Sequence, residues 1–237
     1  MKKTKFKNWT LLIPASLNDH EATEIFSKIQ VGDFKVVKSL KDTYRSQVQR
    51  ISVMGRDLVL KIPNEKNTRT WIRLLTWFRI GEAYKNLKGM QLLQDRNIPT
   101  TTPVLAAEKR NSGMVVDSWL LYEFLEGKSC VEIPSSHQKV VSALGDIHKV
   151  GLLHGDPQIR NFVIFKEEIY TIDSNPKRIG FTGFDVGYEW AYLRKSAPGI
   201  EIFFSDILES FWYKFAYYYD LYVRKLSKWK RIVLLRS

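Results

Sequence analysis

The sequence predicts an α+β fold of two lobes, a small antiparallel sheet followed by a mainly helical second half. Three observations predict it. Short apolar runs at 34–40, 47–54 and 58–62 lie close together, with Gly55-Arg56-Asp57 as the turn between the last two, which is the spacing of adjacent strands. A long helical periodicity follows over residues 71–96. Residues 154–161 then read HGDPQIRN, and two further apolar runs come at once, 162–165 and 169–172, the second ending on Asp173.

Taken in order, the N-terminal MKKTKFKNWTLLIPAS carries the charge of a signal peptide, but its apolar stretch 9–13 stops at Pro14 and is too short for one. A short helix is expected over 21–29, then the three strands. Asn67 to Ile80 reads NTRTWIRLLTWFRI, with arginines between the aromatics. It has two readings: the start of the long helix with its aromatics packed inward, which we favour, or an interfacial segment with arginines toward acidic headgroups. Residues 99–103 end the helix, and 104–108 and 115–122 read as strands. Pro134-Ser135-Ser136 starts a helix whose apolar positions Val140, Val141, Leu144 and Ile147 lead into HGDPQIRN. His137 and His148 read as surface or capping residues. Residues 202–222 are apolar enough to raise a membrane span, but Asp206, Glu209, Lys214 and Asp220 make a buried helix the better reading.

The chemistry concentrates after that helix. Asp156 and Asn161 share one loop and Asp173 closes the next hairpin, so two carboxylates and an amide oxygen can converge. Phosphoryl transfer from a nucleotide needs such a set: one carboxylate takes the proton of the attacking hydroxyl, and the other oxygens hold the metal. The loop resembles the protein-kinase catalytic loop H-R-D-x-x-x-x-N, with Gly155 in the Arg place, and Asp173 resembles the metal-binding Asp of D-F-G, here followed by Ser174 and Asn175. The resemblance implies a two-lobed protein-kinase-like fold, with residues 1–122 as N-lobe, 123–127 as hinge and 128–237 as a trimmed C-lobe. It makes Asp156 the base, Asn161 and Asp173 the Mg²⁺ ligands, and His154 a structural member of the loop. It puts Lys61, on the strand 58–62, against the phosphates of ATP, paired with Glu82 on the long helix. Backbone groups of Glu123 and Leu125 meet the adenine. Asp185 braces the catalytic loop or is a plain N-cap. The sequence departs from the pattern at residues 41–46, which hold no glycine, so Lys41, Thr43 or Arg45 stand in for a glycine-rich phosphate loop.

At 237 residues, with 44% hydrophobic and 26% charged residues, the chain is globular and long enough to bury a core. A net charge of +12 favours an anionic partner. One cysteine, Cys130, excludes an intrachain disulfide and fits a reducing compartment. The tail LYVRKLSKWKRIVLLRS holds six basic residues, Arg224, Lys225, Lys228, Lys230, Arg231 and Arg236, and no acid; it reads equally as a helix on an anionic bilayer or as a docked helix with a basic outer face.

Over nearly its whole length, through HGDPQIRN, TIDSNPKR and the basic aromatic tail, the chain resembles the lipopolysaccharide core heptose(II) kinase family. That resemblance implies ATP- and Mg²⁺-dependent phosphorylation of a heptose in the inner core, by a cytoplasmic protein held peripherally at the cytoplasmic face of the inner membrane. The acceptor would be an anionic glycolipid, with Lys177 and Arg178 binding it or, on the other reading, stabilising the shortened segment after Asp173. The alternatives are another sugar or small-molecule kinase, a nucleotide-binding pseudokinase scaffold at the membrane and, ranked last, a nucleic-acid binder. Metal-dependent ATP turnover separates the enzymes from the scaffold.

Overall fold

The structure is a computed structural model that describes the backbone of residues 1–234 and the side chains of residues 1–226. Lys228, Lys230, Arg231 and Arg236 of the basic tail, with Trp229 and Val233 of its apolar face, therefore lie outside the described side chains. The chain divides into two compact units, Met1–Glu126 and Gly127–Ser237.

The first unit holds β1 (Lys2–Phe6), β2 (Trp9–Ile13), α1 (Asp19–Val31), β3 (Lys35–Asp42), β4 (Gln47–Val53), β5 (Arg56–Ile62), α2 (Asn64–Thr68), α3 (Thr70–Leu75), α4 (Glu82–Gln94), β6 (Pro103–Asn111) and β7 (Met114–Glu123). The strands form one antiparallel sheet in the order β1-β2-β6-β7-β5-β4-β3. Because side chains alternate along a strand, each face has its own core. On one face Trp9, Leu11, Leu58, Leu60, Trp119 and Leu121 pack against α1. That helix is capped by the Asn18 side chain, which accepts from the Glu21 N–H at 2.9 Å, and it stops at Gly32 in the left-handed region. Its Phe26 stacks on Trp119 with ring centroids 5.7 Å apart. On the other face Leu12, Ala106 and Leu120 pack under Ala83, Tyr84, Leu87 and Met90 of α4. Lys61, opposite Leu120 in the ladder, lies on the α4 face.

Two expectations change here. The N-terminal segment, for which the sequence predicts no element, is a hairpin: Trp9, Leu11 and Ile13 alternate into the core, while the lysines of β1 lie on an outer strand. The long helix expected over 71–96 is broken at Thr76–Gly81. Thr76 turns its hydroxyl back to the Arg73 carbonyl at 2.6 Å and accepts the Val115 N–H at 2.8 Å. Arg110 then donates to the carbonyls of Thr76 and Arg79, removing acceptors that a continuous helix would need. Gly81 precedes the restart, and a Cβ there would lie 2.3 Å from Glu108 Oε1. The nearly inaccessible Glu108 carboxyl, its pKa raised by burial, accepts from Arg110 Nη2 at 3.2 Å beside this restart.

The second unit holds β8 (Lys128–Ser129), α5 (His137–Lys149), β9 (Leu152–Leu153), β10 (Phe162–Phe165), β11 (Glu168–Thr171), β12 (Lys177–Arg178), α6 (Phe184–Ser196), α7 (Ser205–Leu208) and α8 (Phe211–Leu234). Its core joins Val140 and Leu144 of α5, Phe162 and Ile169 of the β10–β11 hairpin, Trp190 and Leu193 of α6, and Tyr213 of α8. Burying Leu144 completely contributes about 1.5–3 kcal/mol. The helix expected over 202–222 starts only at Phe211, and it is buried on one side only: Tyr213 and Ala216 face the core, while Phe211, Phe215, Tyr218 and Tyr222 are exposed. Among the described residues no helix is long and apolar enough to cross a membrane.

Candidate active site

The loop between β9 and β10 is tied to its surroundings by three residues of α6. Glu189 is buried, and its Oε2 accepts the backbone N–H of His154 at 2.9 Å while its Oε1 accepts that of Gly155 at 2.6 Å. His148 Nε2 lies 2.9 Å from the same carboxylate. One turn on, the Tyr192 hydroxyl accepts from Gln158 Nε2 at 3.1 Å. Another turn on, Ser196 Oγ accepts the Ile159 N–H at 2.9 Å. The spacing 189, 192, 196 is one face of a helix, so a single rigid element holds both ends of the loop. The brace expected at Asp185 is thus supplied by Glu189, one turn later; among the described residues no hydrogen bond joins Asp185 to the catalytic loop. His148, expected at the surface or as a cap, is instead a nearly buried member of this brace, edge-on to Trp190.

Held this way, Asp156 has both carboxylate oxygens directed. Gln158 Nε2 donates to Oδ1 at 2.7 Å and Asn161 Nδ2 to Oδ2 at 3.0 Å. Asn161 Nδ2 also donates to the Asp156 carbonyl at 2.8 Å. Its amide nitrogen is thereby spent on Asp156, which leaves Asn161 Oδ1 as the oxygen able to take a cation. The β10–β11 ladder pairs Phe162 with Thr171, and the Ile172 N–H reaches the Asn161 carbonyl at 2.8 Å, so Asn161 and Asp173 come to the same end of one hairpin. Asp173 is exposed and sits in the left-handed region at φ 53. An amide oxygen and a carboxylate are hard donors of the kind Mg²⁺ selects, and two of them suffice when phosphates and waters complete the octahedron. Among the described residues no cluster of three or more His, Cys, Asp or Glu offers a rival metal site.

Gly155 stands where protein kinases carry Arg, and the geometry gives the reason. Its φ is 88, and a Cβ would lie 2.1 Å from the Asn175 carbonyl oxygen. The segment after Asp173 passes backbone against backbone here, with the Asn175 N–H on the His154 carbonyl at 2.9 Å. Only glycine permits that approach. Further on, Lys177 and Arg178 form β12 and pair with Leu153 and Leu152, so their backbone closes the segment onto the loop while both residues stay exposed.

His154 is fully buried against Phe162, with ring centroids 5.0 Å apart. Its Nδ1 accepts the Asp156 N–H at 3.3 Å, so the ring is neutral with its proton on Nε2. Burial pushes its pKa down to about 4, against the pull of Glu189, Asp156 and Asp173. An unfolded chain takes up this proton near 6.5, so below that pH the unfolded state holds more protons. Stability from this group is therefore full above about pH 6.5 and lost as pH falls to about 4, on the order of 3 kcal/mol in all. Urea unfolding of the parent and of His154→Asn at pH 7 and pH 4.5 checks this: the variant is expected to show the flatter pH dependence.

The first unit carries the remaining expected residues. Glu82, the first residue of α4, forms an ion pair with Lys66 Nζ at 2.6 Å. The Glu123 N–H is taken by the Thr102 carbonyl at 2.9 Å, and the Glu123 side chain pairs with Arg56. Between β3 and β4, Thr43 and Ser46 bond to each other through backbone and hydroxyl, and Arg45 is engaged by the Tyr44 hydroxyl and Glu65. Of the three substitutes expected for a phosphate loop, Thr43 has its hydroxyl inside the turn, Arg45 has protein partners, and Lys41 is exposed.

An antiparallel sheet unit carrying a strand lysine, followed by a helical unit carrying a braced Asp–Asn–Asp hairpin, defines a kinase-like phosphotransferase. The chain belongs to the family of lipopolysaccharide core biosynthesis proteins described as WaaY, whose model matches residues 1–182. It is similar to a lipopolysaccharide core heptose(II) kinase WaaY of Escherichia coli, 27% identical over 167 residues that cover 68% of this chain and 72% of the relative. It is also similar to the protein of that name from Escherichia coli strain K12, 26% identical over 162 residues, 65% of this chain and 67% of the relative. Among solved structures, WaaP in complex with acyl carrier protein shares the fold, with a TM-score of 0.55 and 17% identity over 80% of this chain and 82% of that one.

Proposed function

We propose that this protein transfers the γ-phosphoryl group of ATP to a hydroxyl of heptose II in the lipopolysaccharide core. The observation that carries the reading is the directed carboxylate of Asp156, held by Asn161 and Gln158 on a loop that ends beside Asp173. The names of the E. coli relatives supply the acceptor. In this reading Asp156 orients the acceptor hydroxyl and takes its proton as the new O–P bond forms. The bond from the γ-phosphorus to the β–γ bridging oxygen breaks, and ADP leaves. Asn161 Oδ1 and Asp173 are the protein ligands for Mg²⁺, which when bound offsets phosphate charge. Lys61 steadies the phosphates with Glu82 in support, and the Glu123 carbonyl and Leu125 N–H receive the adenine.

The acceptor is an anionic glycolipid, so the reading carries with it peripheral work at the cytoplasmic face of the inner membrane. Mass spectrometry of core oligosaccharide from cells with and without this chain tests the activity: one phosphate on heptose II is expected only with it. Lys177 and Arg178, exposed on β12 four and five residues beyond Asp173, fit the acceptor role, because an Arg fork and a Lys point charge suit phosphate. Replacing both by Gln is expected to raise the acceptor KM about tenfold, the scale of one lost charged contact, with the ATP KM within about twofold. Equal losses for both substrates would assign the pair to holding the segment instead.

A further inference from the structure

We propose that residues 69–80 of the first unit form a docking surface for an anionic phospholipid bilayer. The inward packing favoured for this segment's aromatics is not what the structure has. Trp71, Leu74, Leu75, Trp77, Phe78 and Ile80 are all exposed, with Phe78 at 89% and both tryptophans near 60%. Six large apolar side chains are exposed within ten residues, and the rings of Trp77 and Phe78 lie 6.3 Å apart, a concentration that monomeric proteins seldom leave without a use.

The patch is built, not loose. Its backbone is fastened to the sheet by polar bonds, while its apolar side chains turn outward. Arg110 donates to the carbonyls of Thr76 at 2.9 Å, Gly113 at 2.7 Å and Arg79 at 3.4 Å, and to Glu108 at 3.2 Å. Asn67 exchanges hydrogen bonds with Ser118, to its carbonyl at 3.0 Å and from its hydroxyl at 2.7 Å. Trp77 lies over Gly113, where a Cβ would meet its Nε1 at 2.6 Å. A helix that served the core would do the reverse, burying its apolar stripe and showing its polar groups.

Charge and residue type select the bilayer as the occupant. From Lys66 to Gly81 the chain carries Lys66, Arg69, Arg73 and Arg79; Lys66 pairs with Glu82 and Arg69 with Glu65, the carboxylates that flank the segment, while among the described residues no ion pair engages Arg73 or Arg79. Arg79 is exposed, and Arg73 Nε is buried without a hydrogen-bond partner. A recess of about 460 Å³ beside the segment is lined by Ile72, Leu75, Ile80 and Val115 together with Lys66, Arg79, Lys85 and the Glu82 carboxylate that Lys66 pairs with, so its apolar wall suits the start of an acyl chain and Arg79 the headgroup phosphate. Tryptophan at the headgroup level with arginine toward lipid phosphate is the composition of an interfacial anchor. This surface would hold the enzyme where a membrane-borne acceptor is found, but vesicle binding requires neither ATP nor the acceptor, so its failure would leave the kinase reading standing.

The test is co-sedimentation of the full chain with vesicles of phosphatidylethanolamine and phosphatidylglycerol, compared with pure phosphatidylcholine. Trp71→Ser/Trp77→Ser/Phe78→Ser is expected to bind the anionic vesicles at least about tenfold more weakly, with unchanged thermal unfolding because the side chains removed are exposed. A second measurement does not depend on the triple variant folding. Cys130 is fully buried, so Phe78→Cys can be labelled selectively with an environment-sensitive dye. Its emission should shift to the blue with anionic vesicles only. Parent-like sedimentation of the triple variant, or a dye that does not respond while the protein sediments, overturns the proposal. So does a patch-dependent complex with an acidic protein in the absence of vesicle binding.

Discussion

Replacing Asp156 by alanine is expected to lower phosphate transfer by about 10²–10⁴-fold, the usual contribution of a positioned general base. The residue also accepts from Asn161 Nδ2 and Gln158 Nε2, so alanine removes two local restraints along with the base. Asp156→Asn separates these effects. The asparagine keeps an oxygen for Asn161 but accepts no proton from the substrate. If Asp156 serves as base, both variants should lose activity to a similar degree while Mg²⁺–nucleotide affinity stays near the parent in Asp156→Asn. If it only positions Asn161, the asparagine variant should retain most of its turnover. Rates and nucleotide affinities measured on both variants decide the matter.

The second large effect is expected at Glu189. Its carboxylate collects the N–H groups of His154 and Gly155 and the ring of His148 in a buried site. Glu189→Ala strands all three donors, and removing one partner from such a buried charged cluster costs about 3–5 kcal/mol. Because these bonds set the position of Asp156, one and two residues further on, turnover should fall too, by about 10²-fold for an ångström of displacement. Glu189→Gln keeps one acceptor oxygen and should fall between. Urea unfolding and kcat measured together check this: a stable alanine variant with parent kcat would show that the loop holds its shape without the brace.

What could be read from the sequence was local. HGDPQIRN and the carboxylate ending the next hairpin are contiguous patterns, and the structure joins Asp156 and Asn161 to each other by a hydrogen bond and brings Asp173 to the same end of the hairpin as Asn161. The strands at 47–54 and 58–62 followed from turn residues and apolar runs, because each is bounded within a few residues by its own signal. Glu189 was not legible, because its partners lie 34 and 35 residues upstream and meet it only when α6 packs against the loop. A signal was nonetheless present: Glu189, Tyr192 and Ser196 make a polar stripe on one face of a helix whose Trp190, Ala191 and Leu193 are buried. The break at Thr76–Gly81 depends on Arg110 of another strand, so periodicity alone ran the helix through it. For the same reason the outward turn of Trp71, Trp77 and Phe78 was invisible, since apolar residues at helical spacing say that a face will be covered and not by what.

The most direct test of the account uses purified protein, Mg²⁺-ATP and core oligosaccharide from which the heptose II phosphate has been removed, followed by phosphorus NMR of the product. One new phosphomonoester on heptose II is expected, formed only with Mg²⁺ and lost in Asp156→Asn and Asp173→Ala. ATP binding without any transfer to the sugar, or transfer that survives in Asp156→Asn, would contradict it.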